Sequence, residues 1–408
     1  MKCRHCNTQL NYTFTDLGSS PPSNSYLTKE TMKSAEKWYP LKVLVCENCW
    51  LVQTEDFVGV SKMFSEDYAY FSSFSQSWLE HASNYIDSTV KRFNLNSQST
   101  IVEVAANDGY LLQFAQKKDI PCYGIEPTHS TALSAREKGI EIIEEFFGVE
   151  QAKKLASQGR QADLTVANNV LAHVPDINDF VQGFSILLKE SGVATFEFPH
   201  LLNLVNKNQF DTIYHEHYSY LSMVSVKAIF EKNGLSIFDV EELPTHGGSL
   251  RIYAQRSNSG KHPVSDEVHN LYDREIQNGV NSIDFYRNFQ EKVEKIKLDL
   301  TLLLLKLKNE GQKIIAYGAA AKGNTMMNFA GIRPDIISFV VDKNPNKSGK
   351  FMPGSRIPIV DESMIKKEKP DYVLILPWNL KNEVENQLSY IRDWDAKFIV
   401  AVPKLETW

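Results

Sequence analysis

The sequence predicts an α/β protein in which a small cysteine-stapled module precedes two strand–helix units, and three observations carry that expectation. Four of the five cysteines fall within the first 49 residues as two Cys-x-x-Cys pairs. From about residue 75 to 255 short apolar runs alternate with amphipathic stretches, the pattern of a mostly parallel sheet covered on both faces. A polar, turn-rich stretch at 256–263 then leads into a long helical region and a second, smaller alternating set. These breaks divide the chain into 1–72, 73–258 and 259–408.

The first segment contains short apolar pieces, Tyr39-Pro-Leu-Lys-Val-Leu-Val and Trp50-Leu-Val-Gln, between turns such as Ser19-Ser-Pro-Pro-Ser. So thin a core needs a staple. Cys3, Cys6, Cys46 and Cys49 supply four thiolates in two knuckles, the donor set of tetrahedral zinc. Four protein ligands leave no position for water, so the expected zinc is structural. Redox chemistry and an iron–sulfur cluster are the rival uses. Cys122 opens a predicted strand and is expected to be a buried core thiol.

In the middle segment the predicted strands are 100–106, 122–126, 164–168, 193–198, 235–240 and 249–255, with helices over 177–189 and 222–232. The last two strands suit an antiparallel edge. The first strand runs into Ile101-Val-Glu-Val-Ala-Ala-Asn-Asp-Gly109, placing Glu103 late in a strand and a small-residue turn before a helix. In a Rossmann-like sheet such a turn brings backbone close to a ligand. Ala105 and Asn107 stand where a strict Gly-x-Gly would have glycines, so a dinucleotide fits poorly. Glu126 ends the next strand, where an acid accepts hydrogen bonds from ribose hydroxyls. Asn168, Asn169 and His173 follow the third. Taken together, Glu103, Ala105, Asn107, Asp108, Gly109, Glu126, Asn168, Asn169 and His173 favour an adenosyl cofactor.

Tyr214-His-Glu-His-Tyr218 concentrates proton-transfer groups. Extended backbone would put His215 and His217 on one side; helical backbone would make Tyr214 and His217 neighbours. A cluster of structural hydrogen bonds and a two-histidine, one-glutamate metal site are the alternatives. His246, Gly247 and Gly248 precede a strand and suit either a pocket wall or a tight turn.

In the last segment the predicted elements are a helical region to about 309, a strand at 313–317, a helix at 323–329, strands at 336–341 and 371–376, a helix at 381–391 and a strand at 397–402. Tyr317-Gly-Ala-Ala-Ala-Lys-Gly323 is an imperfect nucleotide fingerprint in which Gly318 and Gly323 fit and Ala320 replaces the middle glycine. Lys322 near a helix N-terminus suits a diphosphate. Trp378-Asn379 follows a later strand and offers a stacking surface or a hydrogen bond.

This ordered set resembles the class I S-adenosylmethionine-dependent methyltransferases, and with the cysteine pairs before it and Tyr214-His-Glu-His-Tyr after it, the nucleotide-sugar C3-methyltransferases. The resemblance spans essentially the whole chain. It implies an N-terminal four-cysteine zinc module, a central class I (Rossmann-like) methyltransferase domain and a smaller C-terminal Rossmann-like domain that helps hold the nucleotide sugar. It further implies methyl transfer to C3 of a nucleotide-linked 4-keto-6-deoxy sugar by deprotonation to an enolate. His217 would be the base, Tyr214 and Glu216 would orient the sugar or stabilise the enolate, and a tyrosine of the 67–73 segment, Tyr68 or Tyr70, would face the sugar, with Ser72 beside it. Gly318, Lys322, Asn324, Lys343 and Trp378 would contact the nucleotide sugar. Two other functions suit parts of the sequence: an NAD-dependent oxidoreductase using the 318–323 turn, and a non-catalytic zinc-binding scaffold.

Composition narrows the field of partners. Hydrophobic residues at 42% and charged residues at 23% provide for packed cores and exclude a disordered or fibrous chain. Forty-four basic against 50 acidic residues leave a net charge of −6, with no global attraction for nucleic acid or an anionic membrane. No apolar run reaches the roughly 18 residues of a membrane span, and Met-Lys-Cys-Arg-His-Cys is no signal peptide. A cytoplasmic location is expected, and, in the absence of a heptad pattern, a monomer.

Overall fold

The computed structural model describes residues 1–57, 59 and 71–408. Its strands are β1 (Tyr12–Ser20), β2 (Tyr39–Val45) and β3 (Val52–Thr54); then β4 (Ile101–Val104), β5 (Cys122–Ile125), β6 (Ile142–Ile143), β7 (Ala162–Asn168), β8 (Leu188–Pro199), β9 (Ser219–Tyr220), β10 (Leu235–Leu243) and β11 (Ser249–Arg256). The remainder are β12 (Ile314–Tyr317), β13 (Val340–Val341), β14 (Ile359–Val360), β15 (Tyr372–Ile375), β16 (Lys397–Val400) and β17 (Glu406–Thr407).

Three sheets result. The central one runs β10-β11-β8-β7-β4-β5-β6; its parallel core is β8-β7-β4-β5-β6, while β11 pairs antiparallel with both β8 and β10. Every residue of β4 is buried, as strands covered on both faces require. The C-terminal sheet, β14-β13-β12-β15-β16-β17, is parallel except at β17. In the N-terminal sheet, β1-β2-β3-β9, the fourth strand arrives from residues 219–220 of the middle segment.

Helix ends follow local capping chemistry. Ser75 accepts the Trp78 N–H to start the Gln76–Phe93 helix, and Asn94 ends it with φ 53°. Ser222 and Ser225 form a capping box on the Met223–Lys232 helix. That N-terminus is also tied by Glu275, whose carboxylate accepts the Met223 and Val224 N–H groups (2.8 and 2.9 Å) and pairs with His200 (2.6 Å).

The packing crosses the sequence segments. One core cluster unites Phe14, Leu41 and Val43 with Phe289, Leu300, Ile314 and Met326. Another unites Cys3, Cys46 and Leu51 with Phe180, Phe184 and Phe230.

Several elements differ from the sequence expectation. The helix from 177 stops at Leu187, and Leu188 already belongs to β8. The helical lead-in is three helices, Asp266–Gln277, Ile283–Tyr286 and Phe289–Asn309, interrupted where Gly279 (φ 84°) and Asn288 (φ 66°) turn left-handed. The strand expected at 336–341 shrinks to β13, because Ile336 and Ile337 donate their N–H groups to the Arg333 carbonyl as a turn. The helix at 381–391 is α-helical only to Gln387. Cys122 opens β5 but is half-buried rather than buried, next to the Leu112 carbonyl.

Candidate active site and zinc centre

The four Sγ atoms of Cys3, Cys6, Cys46 and Cys49 lie within 4.8 Å of one another, with Cys3–Cys49 at 3.5 Å and Cys6–Cys46 at 3.4 Å. A tetrahedral zinc with Zn–S near 2.3 Å needs sulfurs about 3.8 Å apart. The donor set therefore fits the ion and fills all of its positions, as a structural zinc requires.

The candidate cofactor cradle lies at the carboxyl ends of β4, β5 and β7. After β4 the backbone turns left-handed at alternate residues, Ala105 (φ 60°), Asn107 (φ 49°) and Gly109 (φ 73°). The alanine and asparagine thus adopt the conformation for which the fingerprint ordinarily uses glycine. At Gly109 a Cβ would lie 2.4 Å from Ile140 Cδ1. Glu126 accepts the Asn107 N–H through Oε2 and the Thr128 N–H through Oε1 (both 2.9 Å), joining the ends of β4 and β5. Burial raises the pKa of Glu126, and raises that of fully buried Glu103 well above the usual carboxylate range. Asp108 ion-pairs with Lys138 (3.3 Å), and the main chain of Ser72 and Ser73 caps Asn107 and Asp108. The Asn168 and Asn169 side-chain amides, at the end of β7, are buried without hydrogen-bond partners among the described residues. Buried amides in that condition are costly, so this cradle has the unpaired donors and acceptors that a polar adenosyl ligand would satisfy.

A second cluster of titratable side chains is centred on His217. Residues 214–217 form a turn in which the His217 N–H donates to the Tyr214 carbonyl (2.9 Å), so Tyr214 and His217 become neighbours, with ring centroids 3.9 Å apart. His217 Nδ1 is 2.7 Å from the Thr212 carbonyl. A carbonyl only accepts, so Nδ1 carries the proton and Nε2 is the basic nitrogen. His173 packs edge-on against His217 at 4.6 Å. Desolvation, reinforced by His173, lowers the pKa of His217 well below 6.5; burial lowers His173 to about 4. Glu216 holds Asn24 through both carboxylate oxygens (2.8 Å each), and burial lifts its pKa to about 7. His215 instead hydrogen-bonds the Tyr39 and Pro40 carbonyls of β2. Tyr68 and Tyr70 lie outside the described residues.

Further walls come from the other segments. His246 (φ 53°) and Gly247 (φ 90°) form a tight turn, and His246 packs on Trp78; burial and the Lys322 charge lower its pKa to about 4. At Gly248 (φ 121°) a Cβ would meet the Asn203 amide at 2.5 Å. A Cβ on Gly318 (φ 91°) would meet Pro377 at 2.4 Å. Lys322 Nζ donates to Asn379 Oδ1 (2.7 Å) and lies over the Trp378 ring (4.9 Å). Asn324 donates to the Ser23 carbonyl (2.5 Å). Lys343 is exposed.

The structure adds residues that sequence reasoning missed. Asn24 and Tyr26 belong to a turn-rich stretch with no motif, yet Asn24 reaches Glu216 and the Tyr26 hydroxyl donates to the Ala319 carbonyl (2.6 Å). Lys347, not Lys343, bonds the Ala319 carbonyl (2.9 Å) and Asp342 (3.3 Å). Glu197, on β8 beside Asn168, is buried and gathers His81 (2.8 Å), Arg251 (2.8 Å) and Thr245 (3.0 Å). Burial alone would raise its pKa, but His81 and Arg251 outweigh that and hold it low. Asp211 lies only three residues before Tyr214, the one sequence signal available for it.

A parallel central sheet with unpaired buried amides at its strand ends, together with four gathered cysteine sulfurs, fits an S-adenosylmethionine-dependent methyltransferase. Family models match along the chain: "Putative zinc binding domain" at residues 3–64, "Methyltransferase domain" at 78–240 and "C-methyltransferase C-terminal domain" at 244–403. The C-methyltransferase NovU of Streptomyces niveus is 31% identical over 404 residues, covering 99% of this chain and 96% of that protein. The chain belongs to the C-methyltransferase family. Solved structures similar to part of the chain include magnesium protoporphyrin IX methyltransferase from Synechocystis PCC 6803 with bound SAM (16% identity, 44% of this chain and 82% of that chain, TM-score 0.33). A SAM-dependent methyltransferase from Archaeoglobus fulgidus is 14% identical over 44% of this chain and 94% of that chain, with TM-score 0.36.

Proposed function

We propose that the protein transfers a methyl group from S-adenosylmethionine to C3 of a nucleotide-linked 4-keto-6-deoxy sugar, in branched deoxysugar biosynthesis. The observation that carries this is the His217 imidazole, buried, neutral, and pinned by Nδ1 so that Nε2 is its basic atom. Carbon methylation needs a carbanion equivalent, and a C–H next to a ketone is acidic enough for a positioned histidine to remove. When bound, S-adenosylmethionine supplies an activated methyl group on a sulfonium, so the chain's tasks are alignment and charge stabilisation.

His217 Nε2 takes the C3 proton, leaving the electron pair in an enolate with negative charge on the C4 oxygen. Tyr214 and the raised-pKa Glu216 orient the sugar or donate to that oxygen, together with Tyr68 or Tyr70 and Ser72. As C3 forms its bond to the methyl carbon, whose bond to sulfur would break to leave the neutral thioether of S-adenosylhomocysteine, the C4 carbonyl re-forms from the enolate, so no proton returns to that oxygen and His217 releases its proton to solvent. Glu103, Ala105, Asn107, Asp108, Gly109, Glu126, Asn168, Asn169 and His173 would hold the cofactor. His246, Gly247, Gly248, Gly318, Lys322, Asn324, Lys343 and Trp378 would hold the nucleotide sugar. This division of labour follows the proposed boundaries 1–72, 73–258 and 259–408.

The test is a panel of nucleotide-linked 4-keto sugars with S-adenosylmethionine, scored by mass for one added methyl. Wild type is expected to methylate at least one. His217→Asn is expected to lose about 10²- to 10⁴-fold in turnover while S-adenosylhomocysteine binding persists. Retained turnover in that variant removes His217 as the base.

A further inference from the structure

Residues 209–212 close one short turn, and three of them each hold a different segment of the candidate site. Gln209 Nε2 donates to the Gly247 carbonyl (3.0 Å), next to His246. Trp378 Nε1 donates to Asp211 Oδ2 (2.7 Å). The Thr212 carbonyl accepts from His217 Nδ1 (2.7 Å), and the Thr212 hydroxyl returns to the Gln209 carbonyl (2.7 Å). All three residues are buried, Asp211 at 1% exposure.

A buried carboxylate is expensive unless its charge is answered. Here the answering charge is Lys322, which lies over the same indole whose N–H Asp211 accepts. Trp378 is thereby fixed on three sides: its N–H on Asp211, its face under the ammonium, and its Cη2 where a Cβ on Gly247 would stand 2.3 Å away. The adjoining peptide carbonyl fixes the imidazole. The Lys322 charge also contributes to lowering the pKa of both His217 and His246.

We propose that Asp211 is a positioning residue for the carbon-methylation step: through Trp378 it fixes the Lys322 ammonium over the indole face, and through the Thr212 carbonyl it keeps the His217 ring in the Nδ1–H tautomer. The proposal rests on His217 being the base, as set out above, and adds the group that aligns base and cation across two segments of the chain. A cation fixed beside the bound sugar would favour the enolate over the neutral ketone, and a protonated Nδ1 leaves Nε2 free to accept.

Two variants test it in the full-length zinc-loaded protein. Asp211→Asn keeps an acceptor for the indole but removes the charge; Trp378→Phe keeps a ring but removes the donor. The first measurement needs no substrate: ¹⁵N spectra of the histidine rings are expected to show His217 protonated at Nδ1 in wild type and mixed or inverted in both variants. The second uses the nucleotide-linked 4-keto sugar, with S-adenosylhomocysteine in D₂O for exchange at the carbon next to the ketone and with S-adenosylmethionine for turnover. Exchange and kcat are expected to fall together by about 10- to 100-fold in both variants, with KM for the sugar within about 3-fold in Asp211→Asn; Trp378→Phe, at a residue proposed to hold the sugar, is read on exchange and kcat. The double variant is expected to fall no further than the worse single, as for groups acting through one linkage. An unchanged His217 ring signal, kcat within about 3-fold of wild type, or losses that multiply in the double variant each overturn the proposal. Should wild type neither exchange nor methylate any such sugar, the proposed function fails, and the ring signal still decides the positioning role. If Asp211→Asn does not fold, Trp378→Phe carries the same tests.

Discussion

Three histidines belong to the candidate site, and desolvation keeps each of them from charging near neutral pH: His173 and His246 fall to about 4, and His217 lies well below its usual value. The sign of the resulting pH effect follows from linkage. A histidine with a folded pKa below its unfolded 6.5 binds its proton first in the unfolded chain, so its contribution to stability is intact above 6.5 and drains away as pH falls toward 4. His246→Asn is therefore expected to lose less stability than wild type between pH 6.5 and 4, by up to about 1.4 kcal/mol per pH unit, measured by urea unfolding at several pH values. The turn after β4 supplies a second contrast. Gly109→Ala meets both a left-handed φ and Ile140 at 2.4 Å, and is expected to cost about 2 kcal/mol or more in thermal unfolding. Ala105→Gly, at φ 60°, is expected to leave the melting temperature unchanged or raised, since it relieves a left-handed alanine. Sequence showed which residues form this turn but not its shape. Ala105 reads as a missing glycine, and only the fold reveals that the alanine has been forced into the glycine conformation.

At the scale of elements, the junction of β3 with β9 matters most. Thr54 donates its hydroxyl to the His217 carbonyl (2.8 Å) and its N–H to the Tyr218 carbonyl (3.1 Å). The zinc-stapled sheet thus holds the main chain of the proposed base. Stripping zinc with a chelator is accordingly expected to reduce methyl transfer as well as the melting temperature, and zinc to restore both; Cys46→Ser should reproduce the loss. Activity that survives complete zinc removal would show that β3 keeps its pairing without the metal. The two cysteine knuckles were legible because their spacing carries the chemistry. The β3–β9 pairing was not, because a two-residue strand has no periodicity to find, and Asn24 and Tyr26 act only through contacts made across roughly 190 to 290 residues of chain.

For the whole molecule, the alternation of strands and helices was readable, and so was the existence of two α/β sheets. What the pattern hid is that the N-terminal strands share their cores with the segments that follow. Phe14 stacks on Phe289 (4.4 Å), and Cys3 and Cys46 share a cluster with Phe184 and Phe230. Periodicity reports which face of an element is apolar and never which partner covers it. With cores shared in this way, calorimetry on the zinc-loaded protein is expected to show one unfolding transition, its van't Hoff and calorimetric enthalpies in agreement; three separable transitions would mean that the shared clusters contribute little. The strand β9 has a further consequence during synthesis. A ribosome adding about 5 to 20 residues per second exposes β3 on the order of ten seconds before its partner at residues 219–220 exists, and Phe14 waits longer still for Phe289. The first-made part of the chain is thus among the last to finish folding, its edge strand open to other chains in the interval, and early capture of zinc by the two knuckles would be the available protection.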